Sequence, residues 1–349
     1  MSSTPADLAP GSAPPGGEAL RARKKREIRI ASRHRGGLAV RIVIEALWGL
    51  AGWTAVIALA VAGVLPYWAA CLVNGWFAYL MYMPLHEATH GNVSGRHARL
   101  RWLDDLIGSL SAIPLWFGYR SHRISHMKHH AYTNDPARDP DHFVAGPFLG
   151  LFPKFGLLVA LQVLVPVLSL VPGGMRILPA SVRSLRNEAE EGMDPLELAY
   201  QRRFQRGCLA AFAALSLAGH FPEAFWLWFV PSRIGLFLIL AVFAWLPHHP
   251  HAERGRYRDT RITLFPFGTL LIRGQNHHLL HHMFPRVPHY RLPALFAELR
   301  PILVANGARI EGPLAGPGAP SILLRWDEPM RAATGAPAPG SAAADRGLG

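Results

Sequence analysis

Eight histidines of this chain fall into three short groups: His86 and His90, then His126, His129 and His130, then His278, His281 and His282. Positions three and four apart share a helix face. The HxxxH of the first group therefore presents two imidazoles together, and each HxxHH adds a neighbouring third. Imidazole suits iron, zinc and copper alike, so ligand type does not name a metal. Number decides more. One tetrahedral ion takes four ligands, whereas eight or nine nitrogens support two ions with positions left open, the arrangement needed if oxygen is to bind and be reduced between them. A lone histidine is ordinarily a surface or hydrogen-bonded residue, and His34, His97, His142 and His220 read that way.

Two other chemistries compete for the same residues. His86-Glu87-Ala88-Thr89-His90 matches HExxH, in which two histidines bind zinc and the glutamate is the general base. A membrane zinc metalloprotease would follow, but it leaves the two HxxHH groups without a role. An imidazole-lined ion transporter would place its site near the bilayer midplane, whereas these groups lie at the ends of apolar runs.

Those runs are the elements that must position the histidines. Half of the 349 residues are hydrophobic and 17% are charged, and the apolar residues are bunched, which points to a membrane protein. Ala46 to Leu65 is an uncharged run of about 30 Å as a helix, enough to span a bilayer core. Tyr67 to Leu85 follows after Pro66, so the two predict a tight helical hairpin, with interfacial anchors among Trp53, Tyr67, Trp68 and Tyr82. Leu100 to Phe117, broken by Asp104, Asp105 and Pro114, is expected to lie along the membrane surface. Phe155 to Val171 is apolar again, and a charged segment from Arg176 to Arg206 follows. Gly207 to Phe221 and Phe225 to Pro247 then read as a second hairpin, with Arg233 its awkward member.

If all histidine groups meet at one site, an even number of crossings separates His130 from His248, yet three apolar runs intervene. Phe155 to Val171, interrupted by Lys154 and Pro166, is the run expected not to cross but to be re-entrant or in-plane; the alternative is that Gly207 to Pro247 makes a single broken crossing. The fold class expected is all-α integral membrane: two transmembrane helical hairpins carrying a cytoplasmic histidine-rich cap.

The 36 Lys plus Arg against 23 Asp plus Glu give a net charge of +13. The basic cluster Arg21 to Arg35 lies just before the first apolar run, where the positive-inside tendency keeps it cytoplasmic and near anionic lipid. Nothing downstream interleaves aromatics with base-reading groups, which argues against a nucleic-acid partner. Cys71 and Cys208 read as buried free thiols. Met1 to Gly17 lacks the apolar core of a secretory signal. Residues 1–36 are expected to be a disordered basic tail, 37–311 the membrane domain and 312–349 a low-complexity tail interrupted by Ile322 to Trp326.

Taken together, HEATH, HRISHMKHHAYTNDPARDPDHF, WLPHHPHAERGRY and GQNHHLLHHMFPRVPHYRLP resemble the membrane-bound fatty acid desaturase superfamily. The second and third stretches are most similar to its beta-carotene hydroxylase branch, through the Thr-Asn-Asp-Pro run of the one and the Leu-Pro-His of the other. The resemblance covers roughly residues 45 to 300, and three spaced groups together are far more specific than any one. It implies iron ligands at His86, His90, His126, His129, His130, His278, His281 and His282, and a ninth at His248. His249 and His251 compete for that ninth role and His122 competes with His126. His277 stands where relatives commonly carry an aromatic residue. Metal-bound imidazoles need their other nitrogen held, and Glu87, Asn134, Asp135, Asp139, Asp141 and Asn276 are placed to do so, with simple turn chemistry the competing reading for Asp135 and Asp139.

The chemistry implied is oxygen activation at a reduced pair of non-haem irons, then hydrogen abstraction from an unactivated carbon of a long apolar lipid, a fatty acyl chain or a carotenoid such as beta-carotene. Return of a hydroxyl gives an alcohol; loss of a second hydrogen gives an alkene. No ferredoxin cysteines, haem motif or dinucleotide-binding glycine pattern is present, so electrons are expected from a separate carrier, which the resemblance implies is of ferredoxin, rubredoxin or cytochrome b5 type.

Overall fold

The computed structural model describes residues 17–316. Of the expected tails at 1–36 and 312–349, residues 1–16 and 317–349, Ile322 to Trp326 included, lie outside the described residues. The described residues are mostly helical, and among them the one departure from an all-α fold is a two-residue parallel pair, β1 (Ile262–Thr263) with β2 (Ile310–Glu311), in the register Ile262 to Ile310.

Two helical hairpins form the base. Helix α2 (Val40–Val61) ends in Ala62, and Gly63, at φ +73°, turns the chain. Gly63 N–H donates to Ala60 O (3.0 Å) and Val64 N–H to Leu59 O (2.9 Å), the paired bonds that close a helix on a left-handed glycine. Pro66, extended, then caps α3 (Tyr67–Thr89). The second hairpin pairs the helix Pro195–Leu215 with a return helix, residues 221–245, across Gly219 at φ +90°. Helical residues 195–245 would extend roughly 75 Å if straight, more than twice a bilayer core. Instead they fold back, bringing Phe212 to 6.0 Å from both Phe221 and Phe229. Tyr67 Oη donates to Glu223 Oε1 (2.7 Å), tying the two turns together at one end. His86, His90 and His248 emerge at the other.

Among the described residues three stretches are long and apolar enough to cross a membrane: Val40–Val61, Phe148–Leu168 and Pro195–Trp245. Helix α3 is not among them, because Asn74, Tyr79, Tyr82, His86 and Glu87 dilute its apolar content; all five are buried, since α3 is the central helix of the bundle. It packs closely on the return helix. A Cβ on Gly235 would stand 2.7 Å from that of Ala78, and one on Gly75 would stand 2.7 Å from Ile234 Cγ2. Small residues at such crossings let backbones approach.

Helix α4 (Arg101–Leu115) is continuous through Asp104, Asp105 and Pro114, and packs on α3 through Ile107, Ala112 and Leu115. Asp104 does not break it; its carboxylate accepts from Val93 N (3.0 Å) and Ser94 N (3.3 Å) and anchors the loop after α3. Helix α6 (Leu151–Leu168) likewise runs through Lys154 and Pro166, so neither interrupts it as expected. Arg233 is buried, bonded to Gln162 of α6 and set 5.6 Å over Trp116. Cys71 and Cys208 are free and buried.

One expectation is overturned outright. Residues 17–34, placed in a disordered tail, form helix α1 (Gly17–His34). High charge and absent apolar periodicity pointed to disorder, but the charges are used. Glu27 is fully buried under Arg256 (2.9 Å) and Tyr257, while Arg33 and His34 both reach Glu298. Ala31 packs with Leu279, Leu292, Leu295 and Leu299. Helix α1 thereby clasps the C-terminal helix Leu292–Ala305 and covers the short helix His278–Met283.

Candidate metal centre

The histidines come from four places: His86 and His90 from the end of α3, His126, His129 and His130 from α5 (Tyr119–Tyr132), His248 from just beyond the return helix, and His278, His281 and His282 from the helix His278–Met283. Before His248 the return helix widens, with Leu246 N–H reaching back five residues to Ala241 O (2.9 Å), a local unwinding often met at functional sites.

Their nitrogens converge in two groups. His86, His90, His126 and His281 each offer a ligand atom within 4.8 Å of the others, and so do His129, His248, His278 and His282. His130 lies between, its Nε2 3.1 Å from His126 Nε2 and 3.0 Å from His281 Nε2, its ring stacked 4.2 Å from His282. Further Nε2 pairs stand 2.9 Å apart at His90–His126 and His248–His278, and 3.0 Å apart at His278–His282.

A neutral ring nitrogen is either donor or acceptor, so chains of facing Nε2 atoms cannot all be satisfied by one another. The opposite nitrogens show which way the protons lie. Asp139 Oδ1 accepts from His129 Nδ1 (2.8 Å), Gln275 Oε1 faces His278 Nδ1, and Thr133 Oγ1, which donates to His129 O (2.9 Å), stands 3.2 Å from His282 Nδ1. Each partner holds a proton on Nδ1 and turns the Nε2 lone pair into the cluster. His86 Nδ1 and Nε2 and His248 Nδ1 are buried without a partner. At about 1–3 kcal/mol for each unsatisfied buried group, that burden is comparable with a domain's whole net stability. Lone pairs aimed at common points, uncompensated by hydrogen bonds, fit a pair of metal ions.

Electrostatics agree. Burial holds His126, His130, His248, His278, His281 and His282 well below the ordinary imidazole range, with neighbouring rings adding to it, and His90 falls to about 3. The rings are therefore neutral, as ligation requires. His129 is the exception: burial pulls it down, but Asp141 and Asp139 outweigh that and raise it.

The expected supporting residues divide. Asp139 contacts a cluster histidine directly, and Asp141 Oδ2 lies 3.7 Å from the same nitrogen. Asn134 holds the loop that carries Asp139, its N–H donating to Asp139 Oδ2 (2.7 Å) and its amide to Asp259 O (2.6 Å). Asp135 and Asn276 do not serve as expected. Asp135 makes turn contacts with Ala137 N and pairs with Arg138 and Arg254, and Asn276 donates to Thr269 Oγ1 (3.0 Å), leaving its neighbour Gln275 to hold His278. Glu87 also faces away: its carboxylate accepts from Asn92 Nδ2 (2.7 Å) and from His289 N (2.8 Å) and lies 3.1 Å from His289 Nδ1. A general base needs a free carboxylate toward the metal water, so the zinc-protease reading finds no support.

Among competitors, His122 faces Tyr82 Oη (3.2 Å), His249 lies against Trp245, and His251 sits 5.8 Å behind His248. His277 packs on Phe296 (5.4 Å) outside the cluster, an imidazole in an aromatic's place that leaves the register intact. The reading missed Gln275, Thr133 and His289. The first two are single polar residues without spacing, and His289 is a lone histidine whose partners, Glu87 and Glu45, are remote in sequence.

Comparison with known proteins completes the picture. The omega-3 fatty acid desaturase fat-1 of Caenorhabditis elegans is 25% identical over 262 residues, covering 66% of this chain and 60% of that protein. A beta-carotene ketolase of Haematococcus lacustris is 34% identical over 76 residues, 22% of each chain. An sn-1 acyl-lipid omega-3 desaturase (ferredoxin) of Nostoc is 25% identical over 269 residues, 70% of each chain. The matched region thus spans less than two thirds of the first two relatives. The carotenoid-modifying proteins among these relatives are ketolases, where the motifs alone had pointed toward a hydroxylase branch. The family model for fatty acid desaturases matches residues 62–312, most of the described structure and every histidine of the cluster, and the chain belongs to the fatty acid desaturase family.

Proposed function

We propose that this chain is an O2-dependent membrane oxidoreductase with two non-haem irons that desaturates or hydroxylates a long apolar lipid, an acyl chain or a carotenoid. The observation that carries the reading is the convergence of nine buried or half-buried histidines into two four-nitrogen groups joined by His130. His86, His90, His126 and His281, with His130, would hold one iron, and His129, His248, His278 and His282 the other. Such a pair supplies oxygen activation and the power to break an unactivated C–H bond.

The chain's own residues supply position and dryness. Asp139, Gln275 and Thr133 fix ring orientation. Tyr82, Phe117 and Phe243 form an aromatic wall on the apolar side of His86, with Tyr82 and Phe243 4.5 Å apart and Phe243 6.1 Å from His86. Hydrocarbon arriving from between the helices would meet this wall first, and it excludes water from the C–H bond. Both hairpin turns lie at the opposite end, and the basic helix α1 packs at the histidine end, so by the positive-inside tendency the cluster is read as sitting at the cytoplasmic face, with electrons delivered there by a separate carrier.

Helix α6 is read as re-entrant or in-plane. Lys128 of α5 bonds Gly192 O, so the chain is back at the histidine end by residue 192. Only the polar stretch 169–191 separates it from α6, and that stretch cannot make a return crossing.

Metal analysis of the protein purified after expression in iron- and zinc-containing medium tests the centre: two irons per chain are expected, and stoichiometric zinc without iron overturns it. Expression in cells that make beta-carotene, with acyl chains profiled in parallel, tests the substrate. New oxygenated carotenoid or new acyl double bonds supports the proposal, and neither in an iron-loaded, membrane-inserted protein refutes it.

A further inference from the structure

Away from the histidines, a cavity of about 430 Å³ opens between the end of α1, the loop after α3 and the segment that follows Met283. Four guanidiniums line it, those of Arg35, Arg96, Arg101 and Arg286, and no carboxylate does. Among the described residues none of the four pairs with an acidic side chain. Arg96 donates to Ser32 O (2.8 Å) and Arg286 to Gly95 O (3.3 Å), contacts that position the side chains without neutralising them. Burial and the adjacent charges of Arg286 and Arg96 pull Arg35 below its ordinary value. Concentrated like charge of this kind is costly until an anion shares it.

The walls are built rather than incidental. Gly95, at φ +59°, lies so close to the linker before α2 that a Cβ would stand 2.2 Å from Gly37 O and 2.6 Å from Gly36 O. Ala39 N–H also donates to Val93 O (2.9 Å). Asn92 lines the cavity, its amide held by Glu87 and by Pro285 O (3.0 Å). Forked guanidiniums around a small polar cavity match the oxygens of a phosphoryl group, which they can engage two at a time.

A second cavity of about 170 Å³ adjoins the first and shares Ser32, Arg35 and Arg286 with it. Its remaining walls are apolar: Ile28, Ala31, Phe284, Pro285 and Val287. The pair lies just before Val40, where α2, long and apolar enough to cross a membrane, begins, the level at which a bilayer spanned by α2 would present its phosphates.

We propose that the two cavities form a binding site for a phosphorylated amphiphile, the four arginines taking the phosphoryl group and the apolar slot the hydrocarbon beside it, with a phospholipid of the surrounding bilayer as the occupant. The site is separate from the metal ligands and does not depend on what reaction they perform. The full-length protein in a neutral detergent is titrated with dihexanoyl phosphatidylglycerol, inorganic phosphate and dihexanoylglycerol. The phosphatidylglycerol is expected to bind, and Arg35→Gln/Arg286→Gln to weaken it at least about tenfold, while Arg99→Gln, on the same loop but outside the cavity, leaves it unchanged. Iron content should be the wild type's in all variants. Inorganic phosphate binding as tightly as the lipid would overturn the amphiphile, dihexanoylglycerol binding as tightly would overturn the phosphoryl site, and undiminished lipid binding by the double variant would overturn both. Should the double variant fail to fold, phenylglyoxal labelling of the wild type decides: phosphatidylglycerol is expected to protect Arg35 and Arg286 but not Arg99, and no protection refutes the site.

Discussion

Replacing Asp139 by Asn should loosen one iron and spare the fold. The side chain is 1% exposed, and its oxygens accept three bonds: from His129 Nδ1 (2.8 Å) and Asp141 N (2.9 Å) at Oδ1, and from Asn134 N (2.7 Å) at Oδ2. An amide of the same shape has one oxygen and one NH2 group. If the NH2 takes the Oδ1 position, two donors lose their acceptor; if it takes the Oδ2 position, only Asn134 N–H does, so the second orientation wins at about 1–3 kcal/mol. His129 keeps its bond but loses the charge that makes its Nε2 a strong donor to metal, and such outer partners are worth about 10–100-fold in metal affinity. Anaerobic titration of the apo-protein with Fe(II) should show that loss in one of two binding steps, with a matching fall in thermal midpoint. Asp135→Asn, four residues away and bonded to Arg138 and Arg254 instead of a histidine, should retain both irons. Equal losses in the two variants, or none in Asp139→Asn, would show that the carboxylate–imidazole contact does not tune the site.

His281→Ala should abolish turnover with little loss of membrane insertion, because His281 completes the first group while the apolar hairpins are untouched; retained product formation on extraction and chromatography would remove the third motif from the centre. Gly235→Val should lower stability by about 1–3 kcal/mol, read as a reduced thermal midpoint, since its new Cβ would meet Ala78 at 2.7 Å; an unchanged midpoint would mean that the two helices separate freely. His289 gives a pH dependence. Burial lowers its pKa, but Glu45 and Glu87 outweigh that and raise it above the ordinary 6.5. A raised folded value means stability fully present below 6.5 and lost as pH climbs through the folded pKa. Thermal midpoints measured from pH 6 to 9 should therefore fall on the alkaline side, and His289→Asn should flatten that slope; an equally steep slope in the variant would assign it elsewhere.

The histidines that converge could be picked out because HxxxH and HxxHH join one residue type to a helical spacing, and the resemblance marked His248 through its Leu-Pro-His setting. Their supports were less legible. Asp139 was visible as an acid near the second motif, but nothing local separates it from Asp135, and only the folded loop shows which carboxylate turns inward. Asn276 was expected to hold a histidine, but after the turn at Gly274, with φ +81°, it is the neighbouring Gln275 that faces His278. Apolar helices could be read from uncharged runs broken at Pro66 and Pro222, but the helix before Pro222 starts at Pro195, inside the stretch whose charges had marked it as separate. Helix α1 could not, because its apolar face is short and its stability comes from Glu27, Arg33 and His34 finding partners that lie more than two hundred residues away.

Each of the two histidine groups borrows from the same late stretch of sequence, His281 for one and His278 with His282 for the other. A chain interrupted anywhere before residue 278 therefore has no finished cage. If the cage takes up the oxygen-reactive iron proposed for it, this order defers capture until synthesis has passed both helical hairpins and the scaffold around the site is already made.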